Sequence, residues 1–454
     1  MQKAISIHFE LTRNPTWEFP KCGYNAFALT IPGLIMGCGF IKLHPGSDGS
    51  KIQRKGQIIM ASQKQTSTPY LMATACAGLF TYGMVASFIG ATLPELRARA
   101  GIDLTHAGTL FSFLYVPQVP MVFLAGPLID RFGKKLVLAA GFLCSAGALI
   151  GMAYSSSYAV LGTMLFILGL GSCSAMAAAN TLIPDLYPEN PSSGLNMGGI
   201  FFGVGAAFFP GLVALLARHV GLVATLWSIA LVVGLVAMVA LVQRFPPASM
   251  AGGFDWGQAM SLLINPAVII LACLLFFYTA LEVSTNGFIR TFLEKDLNAS
   301  ARDSSLILTT FWIMMIFGRL IASQVVKKIR GPQLVLGSSV GAIAGLLLIA
   351  LASNVVLVAL GAAICGLCYG PIFPTTAGTA STYFSRIFGT VFGILMAVAL
   401  LSGAVVPPAI GYVAQHQTVR SGFWILVGIA CMLLITQLIF NSYERKKLLP
   451  SGPA

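Results

Sequence analysis

The sequence predicts an all-α protein that crosses a lipid bilayer many times, and three observations support this prediction. Only 9% of the residues are charged and 57% are hydrophobic, so most of the surface cannot face water. The apolar runs are long: Val220–Val242 and Gly422–Ile439 approach the roughly 20 residues that a helix needs to cross the hydrocarbon core. These runs are continuous and lack the alternation of barrel strands. Because lipid offers the backbone no hydrogen-bond partners, we expect helical spans.

Apolar runs and helix breakers place the expected starts of twelve spans near residues 70, 106, 134, 157, 194, 221, 266, 303, 332, 355, 386 and 420. A polar stretch divides these spans six and six. We therefore expect an N-terminal six-helix bundle at 68–243, a cytoplasmic linker at 244–265, a C-terminal six-helix bundle at 266–445 and a cytoplasmic tail at 446–454.

Residues 1–60 match none of this pattern. The stretch Gly23–Ile41 is apolar, but Asn25, Pro32 and several glycines weaken it as a span, and no clear small-residue cleavage site follows it. A thirteenth span and a secretory signal are the alternatives. We expect a disordered or spurious N-terminal extension.

The formal charge of +13 does not indicate a nucleic-acid partner, because the basic residues form short clusters between apolar runs. The clusters follow alternate spans and comprise Arg131, Lys134 and Lys135, then Lys327, Lys328 and Arg330, and finally Arg445, Lys446 and Lys447. By the positive-inside rule their side is the cytoplasm. We expect a multi-pass protein of the cell (inner) membrane with both termini cytoplasmic.

The two halves of the chain carry similar segments. The second span ends in Gly126-Pro-Leu-Ile-Asp-Arg-Phe-Gly-Lys-Lys, and the eighth contains Gly318-Arg-Leu-Ile near its end. Ala207 and Pro210 of the fifth span are echoed by Ala404 and Pro407 of the eleventh. Internal duplication of this kind is typical of secondary transporters.

The segment 126–135 is similar to the loop motif of the major facilitator superfamily, Gly-x-x-x-Asp-Arg-x-Gly-Lys/Arg-Lys/Arg. This resemblance covers residues 68–445 and implies two pseudo-symmetric bundles that rock around a central site. Residues 278–293, together with 370–375 and 389–395, resemble the fucose permease branch, which implies sugar and proton symport. That permease has membrane-embedded acids in its first and fourth spans, and this chain has none there.

Glu282 is the leading candidate site residue, because it is a carboxylate well inside the predicted seventh span. An ionisable side chain at this depth costs about 2.5 to 3.5 kcal/mol on insertion scales, so its presence needs a reason. Tyr278, Asn286 and Arg290 recur with it at spacing four and line one helix face. We expect Ser284–Gly287 to interrupt this helix beside a cavity. The alternative is an interhelical hydrogen bond that fixes packing.

Other polar or aromatic residues inside spans suit hydrogen bonding and stacking on a neutral polyhydroxylated solute. They are Tyr115, Gln118, Asn180, Asn196, Trp312, Tyr369 and Phe373. Each is alternatively a packing residue. From this set we expect Asn180, Trp312, Tyr369 and Phe373 to join Glu282, Asn286 and Tyr278 in substrate binding or coupling.

Asp130 ends the second span beside Arg131, and from the residues alone it is a helix-end anchor at the headgroups. In the superfamily the matching aspartate contacts a neighbouring helix start and helps to close the cytoplasmic side. The resemblance therefore implies that Asp130, Arg131 and Arg319 form a gate.

The sequence has no Gly-x-x-x-x-Gly-Lys-Ser/Thr phosphate loop, so the chain itself does not use ATP as pumps do. All five histidines lie at or outside predicted span ends, which leaves no buried base for an intramembrane hydrolase. We expect no enzyme activity, cofactor or metal. The expected partners are a small-molecule substrate, with or without protons, and the lipid bilayer; we expect no nucleic acid, and a monomer.

Proton-coupled uptake of a sugar-like solute by alternating access is the function that these patterns favour. Export of a drug or metabolite is the alternative, although Leu168–Cys173 and Gly205–Gly211 replace the fourth-span Arg and the fifth-span Gly-Pro motif of drug antiporters. A signalling receptor on a transporter scaffold is a third class, which would bind its ligand without flux.

Overall fold

The computed structural model describes residues 49–186, 191–216, 221–245, 261–384 and 387–448. The stretch Gly23–Ile41 and most of the predicted linker lie outside these residues. The chain divides into two units, Met1–Thr66 and Ser67–Ala454, and the membrane spans belong to the second.

The main helices follow the order of the predicted spans. They are α1 (Gly49–Ala100), α2 (Leu104–Tyr115), α3 (Gln118–Tyr154), α4 (Tyr158–Leu186), α5 (Pro191–Leu216), α6 (Gly221–Val242), α7 (Pro266–Asp296), α8 (Ala301–Val325), α9 (Gly331–Leu351), α10 (Val355–Tyr383), α11 (Phe388–His416) and α12 (Val419–Tyr443). A π-helical turn, Glu444–Leu448, follows α12.

Helix α1 begins well before the predicted span start at residue 70. Its backbone is helical from Gly49, while its apolar span begins at Pro69. Residues 49–60 of the predicted extension are thus helical, and residues 1–48 are outside the described part of the chain.

The stretch Leu104–Tyr154 is long enough for two crossings. Its 51 residues would measure about 75 Å as one straight helix, more than twice the hydrocarbon thickness. The helix is broken at Gly133, where φ is 81° and ψ is 153°. A positive φ of this size suits glycine, which has no Cβ to clash with the backbone.

Packing against α4 shows that the chain turns back at this break. A Cβ on Gly169 would lie 2.2 Å from the carbonyl oxygen of Leu114, and a Cβ on Gly171 would lie 2.7 Å from that of Gly141. Leu114 before the break and Gly141 after it therefore pack against neighbouring positions of α4. The arms on either side of Gly133 are separate spans.

The described residues contain ten helical stretches long and apolar enough to cross a membrane, and a shorter apolar helix, Met197–Val213, lies within α5. When the stretch broken at Gly133 is counted as two spans and the shorter helix is added, these residues give twelve crossings. The predicted all-α membrane fold is confirmed.

Helices of the two halves meet in matching pairs. In the α2–α11 pair, a Cβ on Gly108 would lie 2.8 Å from the carbonyl oxygen of Pro407. In the α5–α8 pair, a Cβ on Gly203 would lie 2.7 Å from Ile316. The second helix of one half thus packs on the fifth helix of the other, as expected from the internal duplication.

The predicted interruption of α7 is wrong. The helix is continuous from Pro266 to Asp296 and includes the whole of Ser284–Gly287. Gly287 has a packing role, because a Cβ there would lie 2.4 Å from the ring of Phe111. The small and polar residues of this segment let neighbouring helices approach an unbroken helix.

Candidate functional site

Glu282 is the one residue of the stretch 278–293 that is not buried. All the others lie against neighbouring helices, whereas Glu282 is half-buried. Its side chain is therefore less tightly enclosed by neighbouring helices than the side chains around it. Glu282 lies well inside α7, and its role in coupling or substrate binding stays a prediction.

Tyrosine hydroxyls from both halves lie near this carboxyl group. Tyr82 of α1 and Tyr115 of α2 lie within electrostatic range of Glu282, as does Tyr278 one helical turn away. The Tyr82 hydroxyl donates a 3.0 Å hydrogen bond to Oε1 of Gln118. Glu282 thus lies between the two halves of the chain.

Arg319 of α8 is the cation that acts on Glu282, although the two groups form no direct ion pair. Its Nη1 donates to the carbonyl oxygen of Gly199 at 3.3 Å, and its Nη2 has only the sulfur of Met315 at 3.8 Å. The guanidinium lies 5.3 Å from the centre of the Phe202 ring. Arg319 therefore links the acidic site to α5 of the other half.

Two polar groups next to Glu282 make no hydrogen bond of good geometry among the described residues. They are the hydroxyl of Tyr278 and Nε of Arg319, both buried. The Tyr278 hydroxyl lies within reach of both Glu282 and Arg319, and its ring packs 6.1 Å from that of Phe373. Since buried polar groups normally have a partner, this cluster can bind another molecule.

Asn286 and Trp312 bind each other. The indole Nε1 of Trp312 donates to Oδ1 of Asn286 at 3.0 Å, and Nδ2 of Asn286 donates to the carbonyl oxygen of Ala86 at 3.1 Å. Both side chains are 1% exposed. These bonds connect α8, α7 and α1, so they can hold the helices together as well as border a site.

The remaining predicted site residues differ in their surroundings. Tyr369 is buried and shares a 3.3 Å hydrogen bond with Thr285, whereas Phe373 is half-buried between aromatic rings. Asn180 is half-buried and has no hydrogen bond within the described part of the chain. The side chain of Asn196 lies outside the described residues.

The halves are bound together at the end of the molecule where α1 is followed by α2. Arg290 of α7 is 2% exposed and pairs with Glu95 of α1, at 2.5 Å, and with Glu294 of its own helix, at 2.7 Å. Arg290 also donates to the carbonyl oxygen of Ala91. Among the ion pairs of the described residues, only the Arg290–Glu95 pair joins the two halves.

Helices α2 and α11 close the same end. Ser112 Oγ donates to the carbonyl oxygen of Ala404 at 2.5 Å, and the backbone N–H of Leu104 donates to Oε1 of Gln415 at 3.0 Å. A Cβ on Gly411 would lie 2.4 Å from the Leu104 carbonyl oxygen. This end, which we call the clamped end, is tightly packed.

The predicted gate residues are spread over different places. Asp130 and Arg131 are exposed near the break at Gly133, one span away from the clamped end. Asp130 has no ion pair or hydrogen bond among the described residues, and Arg131 lies 5.4 Å from the ring of Phe132. Arg319 instead lies beside Glu282. The gate role of all three stays a prediction.

Ion pairs near Asp130 stay within one half of the chain. Lys134 pairs with Asp185 at the end of α4, and Arg330 pairs with Glu444 at 2.6 Å after α12. The described residues include no group of three metal-ligating side chains. The clamped end thus carries the charged contact between halves, and the opposite end carries none among these residues.

Sequence reasoning missed Tyr82, Phe202 and the role of Glu95. An isolated aromatic residue in an apolar span gives no periodic signal, so Tyr82 and Phe202 do not differ from packing residues. Glu95 lies near the end of the first predicted span. Its charge near a span end was a usable signal, but its partner lies 195 positions away in the sequence.

Comparison with known proteins agrees with this architecture. The chain matches the sequence model of the Major Facilitator Superfamily over residues 75–285 and 271–454. The solved nucleoside transporter NupG superposes with a TM-score of 0.68 at 17% identity, over 82% of this chain and 99% of that one. A bacterial homologue of the lysosomal transporter Spinster, in an inward-facing and occupied conformation, superposes with a TM-score of 0.71 at 13% identity, over 84% and 98%.

Three relatives have similar sequences. A Helicobacter pylori protein, provisionally named a glucose/galactose transporter, is 22% identical over 85% of this chain and 99% of its own. The TsgA homologue of Buchnera aphidicola subsp. Schizaphis graminum is 23% identical over 55% of this chain and 65% of its own. The 4-hydroxybenzoate transporter PcaK of Pseudomonas aeruginosa is 33% identical over 25% and 26%.

The chain thus covers less than two thirds of the TsgA homologue and of PcaK. The sequence model of the family, in contrast, matches almost every span of this chain. Together with twelve helical crossings, matching helix pairs between the halves and a polar site between them, this shows that the chain is a multi-pass membrane protein that belongs to the major facilitator superfamily.

Proposed function

We propose that this chain is a proton-coupled transporter that takes up a sugar-like small solute by alternating access. The observation that carries the proposal is the position of Glu282, a half-buried acidic residue of α7 that lies near tyrosine hydroxyls of the other half. The names of the Helicobacter pylori relative and of NupG, which refer to a sugar and a nucleoside, support a solute rich in hydroxyl groups.

Glu282 is suited to carry a proton because its surroundings change when the halves move. A carboxyl group favours its neutral form in a dry site and its charged form in contact with water. Rocking of the halves would expose Glu282 first to one side and then to the other. The residue would bind a proton with the solute and release it after the site has opened to the opposite side.

The clamped end supports alternating access as the mechanism. Passage of a solute through this end requires the Arg290–Glu95 pair to break and α2 to separate from α11. With the topology that the basic clusters predict, the clamped end faces outward and the Glu282 site opens to the cytoplasm. The structure would then correspond to the state from which the solute is released.

A solute panel on the purified protein tests this proposal. The full chain is reconstituted into liposomes that enclose a pH-sensitive dye, and sugars are added outside. Solute-dependent acidification of the lumen, together with accumulation that a protonophore abolishes, is expected. Protein-free liposomes are the control. Alkalinisation on solute entry would indicate an antiporter, and binding without flux would indicate a receptor.

A further inference from the structure

The Arg319 guanidinium has one edge without a strong acceptor. Its Nη1 is bound to the carbonyl oxygen of Gly199, Nη2 has only the distant Met315 sulfur, and buried Nε has no partner among the described residues. The Phe202 ring fixes the plane of the guanidinium by a cation–π contact. The Nε and Nη2 donors of one edge are therefore held in place for an acceptor from outside the chain.

The Tyr278 hydroxyl lies near Arg319 and also lacks a well-formed hydrogen bond. It is 1% exposed, lies within reach of Arg319 and Glu282, and makes no hydrogen bond of good geometry among the described residues. Two parallel guanidinium N–H donors match the two oxygens of a carboxylate, and a neutral sugar hydroxyl offers no such pair. The unfilled donors thus fit a carboxylate better than a neutral sugar.

The charge of the site favours an anion with one negative charge. The titratable groups that face Glu282 are Tyr82 of α1, Tyr115 of α2 and Tyr278 of its own helix, and the cation is Arg319 of α8. With Glu282 ionised, its charge and that of Arg319 cancel. With Glu282 protonated, the site carries one net positive charge. One carboxylate neutralises this charge, whereas a phosphate dianion would leave one net negative charge.

We propose that the solute is a polyhydroxylated monocarboxylic acid, a sugar acid, whose carboxylate binds Arg319 and Tyr278 while Glu282 holds the proton. This proposal rests on the proposed function, because it assigns the substrate class of the same site. One proton and one carboxylate enter together, so the transport step moves no net charge.

Counterflow in proteoliposomes tests the substrate class. The probes are D-glucuronate, D-galacturonate, D-gluconate and D-galactonate, the neutral sugars D-glucose and D-galactose, the uncharged isostere D-glucuronamide, and D-glucose 6-phosphate. At least one acid is expected to exchange. Its amide is expected to compete at least about tenfold more weakly, because it cannot form the charged hydrogen-bond pair. Acid uptake should acidify the lumen at a rate that a potassium–valinomycin clamp of the membrane potential does not change.

Variants assign the effect to Arg319. Arg319→Gln should bring the preference for acid over amide close to unity, Arg319→Lys should keep part of it, and Tyr278→Phe should weaken acid binding. Arg420→Gln is the matched control, because Arg420 also lies over an aromatic ring, Phe292 at 5.6 Å, but outside this site. Melting temperatures in detergent show whether each variant folds. If Arg319→Gln fails to fold, the substrate class is judged from how strongly the acid and its amide compete in the unaltered protein.

The outcomes separate this proposal from the proposed function. Proton-coupled transport of the neutral sugars with no preference for the acids overturns the sugar-acid assignment and leaves proton-coupled transport in place. Preference for the sugar phosphate overturns the monocarboxylate assignment. Absence of solute-dependent proton movement with every probe counts against both proposals.

Discussion

Arg290 on α7 binds Glu95 on α1 through two hydrogen bonds, from Nη1 to Oε2 at 2.8 Å and from Nη2 to Oε1 at 2.5 Å. This fork-shaped contact between an arginine and a carboxylate is the strongest geometry available to such a pair. It joins the two halves of the chain at the clamped end. The contact therefore stabilises the conformation that is closed at this end.

Glu95→Gln should shift the protein toward the conformation open at the clamped end. A hydrogen bond to a charged group contributes about 1.5 to 3 kcal/mol, so the ratio of closed to open molecules should fall by about ten- to hundredfold. Spin labels at exposed Ala98 and Lys295, in a background without native cysteines, measure the separation of α1 and α7.

Glu294→Gln is the matched control, because Glu294 binds the same guanidinium from within α7 and does not join the halves. Its distance distribution should match that of the unaltered protein. Equal distributions in Glu95→Gln and the unaltered protein would contradict the clamp.

Gly90→Ala should also open the clamped end. A Cβ on Gly90 would lie 2.2 Å from the backbone oxygen of Asn286, so α1 and α7 would have to separate. The same spin-label distance is expected to lengthen. Gly147→Ala is the control, because a Cβ there would meet nothing within 4 Å, and it makes the same gain in helix propensity.

Glu282→Gln should abolish accumulation of solute against a gradient. The amide keeps the shape and hydrogen-bonding capacity of the carboxyl group but cannot carry a proton. Downhill exchange should survive if Glu282 serves coupling alone, and loss of both binding and exchange would assign it to the substrate. Accumulation equal to that of the unaltered protein at several pH values would leave Glu282 a packing role only.

Asp130→Asn should slow transport with little change in equilibrium affinity for the solute. Asp130 is exposed and unpaired among the described residues while the opposite end is clamped, as expected of a group that finds its partner in the other conformation. Flux and binding are measured on the same preparation. Lys328→Gln, an exposed charge after α8, is the control; unchanged flux with weakened binding would show that Asp130 has been misassigned.

Trp312→Phe distinguishes packing from substrate binding. It leaves Oδ1 of Asn286 buried without its donor, which costs about 1 to 3 kcal/mol of folding stability. A packing role predicts a lower melting temperature and unchanged solute affinity. A fall in affinity at unchanged melting temperature would place Trp312 in the substrate site, as the sequence predicts.

Depth in the membrane was readable from the sequence, but the direction of a side chain within the bundle was not. Glu282 could be placed inside a span because hydropathy is a local property. Asn286 and Trp312 were equally visible as polar or aromatic residues of a span, yet their bond to each other depends on how α7 and α8 are rotated. The rotation of each helix follows from its packing at small residues such as Gly90 and Gly287. This packing depends on contacts with other helices.

The sequence by itself determined the all-α class, the twelve crossings and the acid in the seventh span, since these follow from the length, hydropathy and order of local segments. Only the tertiary structure paired Glu95 with Arg290, brought Tyr82 and Tyr115 to Glu282, and placed Arg319 against Phe202. Apolar helices offer many faces of similar hydrophobicity, so hydropathy alone cannot choose among them. Close packing of glycines and pairing of buried charges across the two halves make that choice.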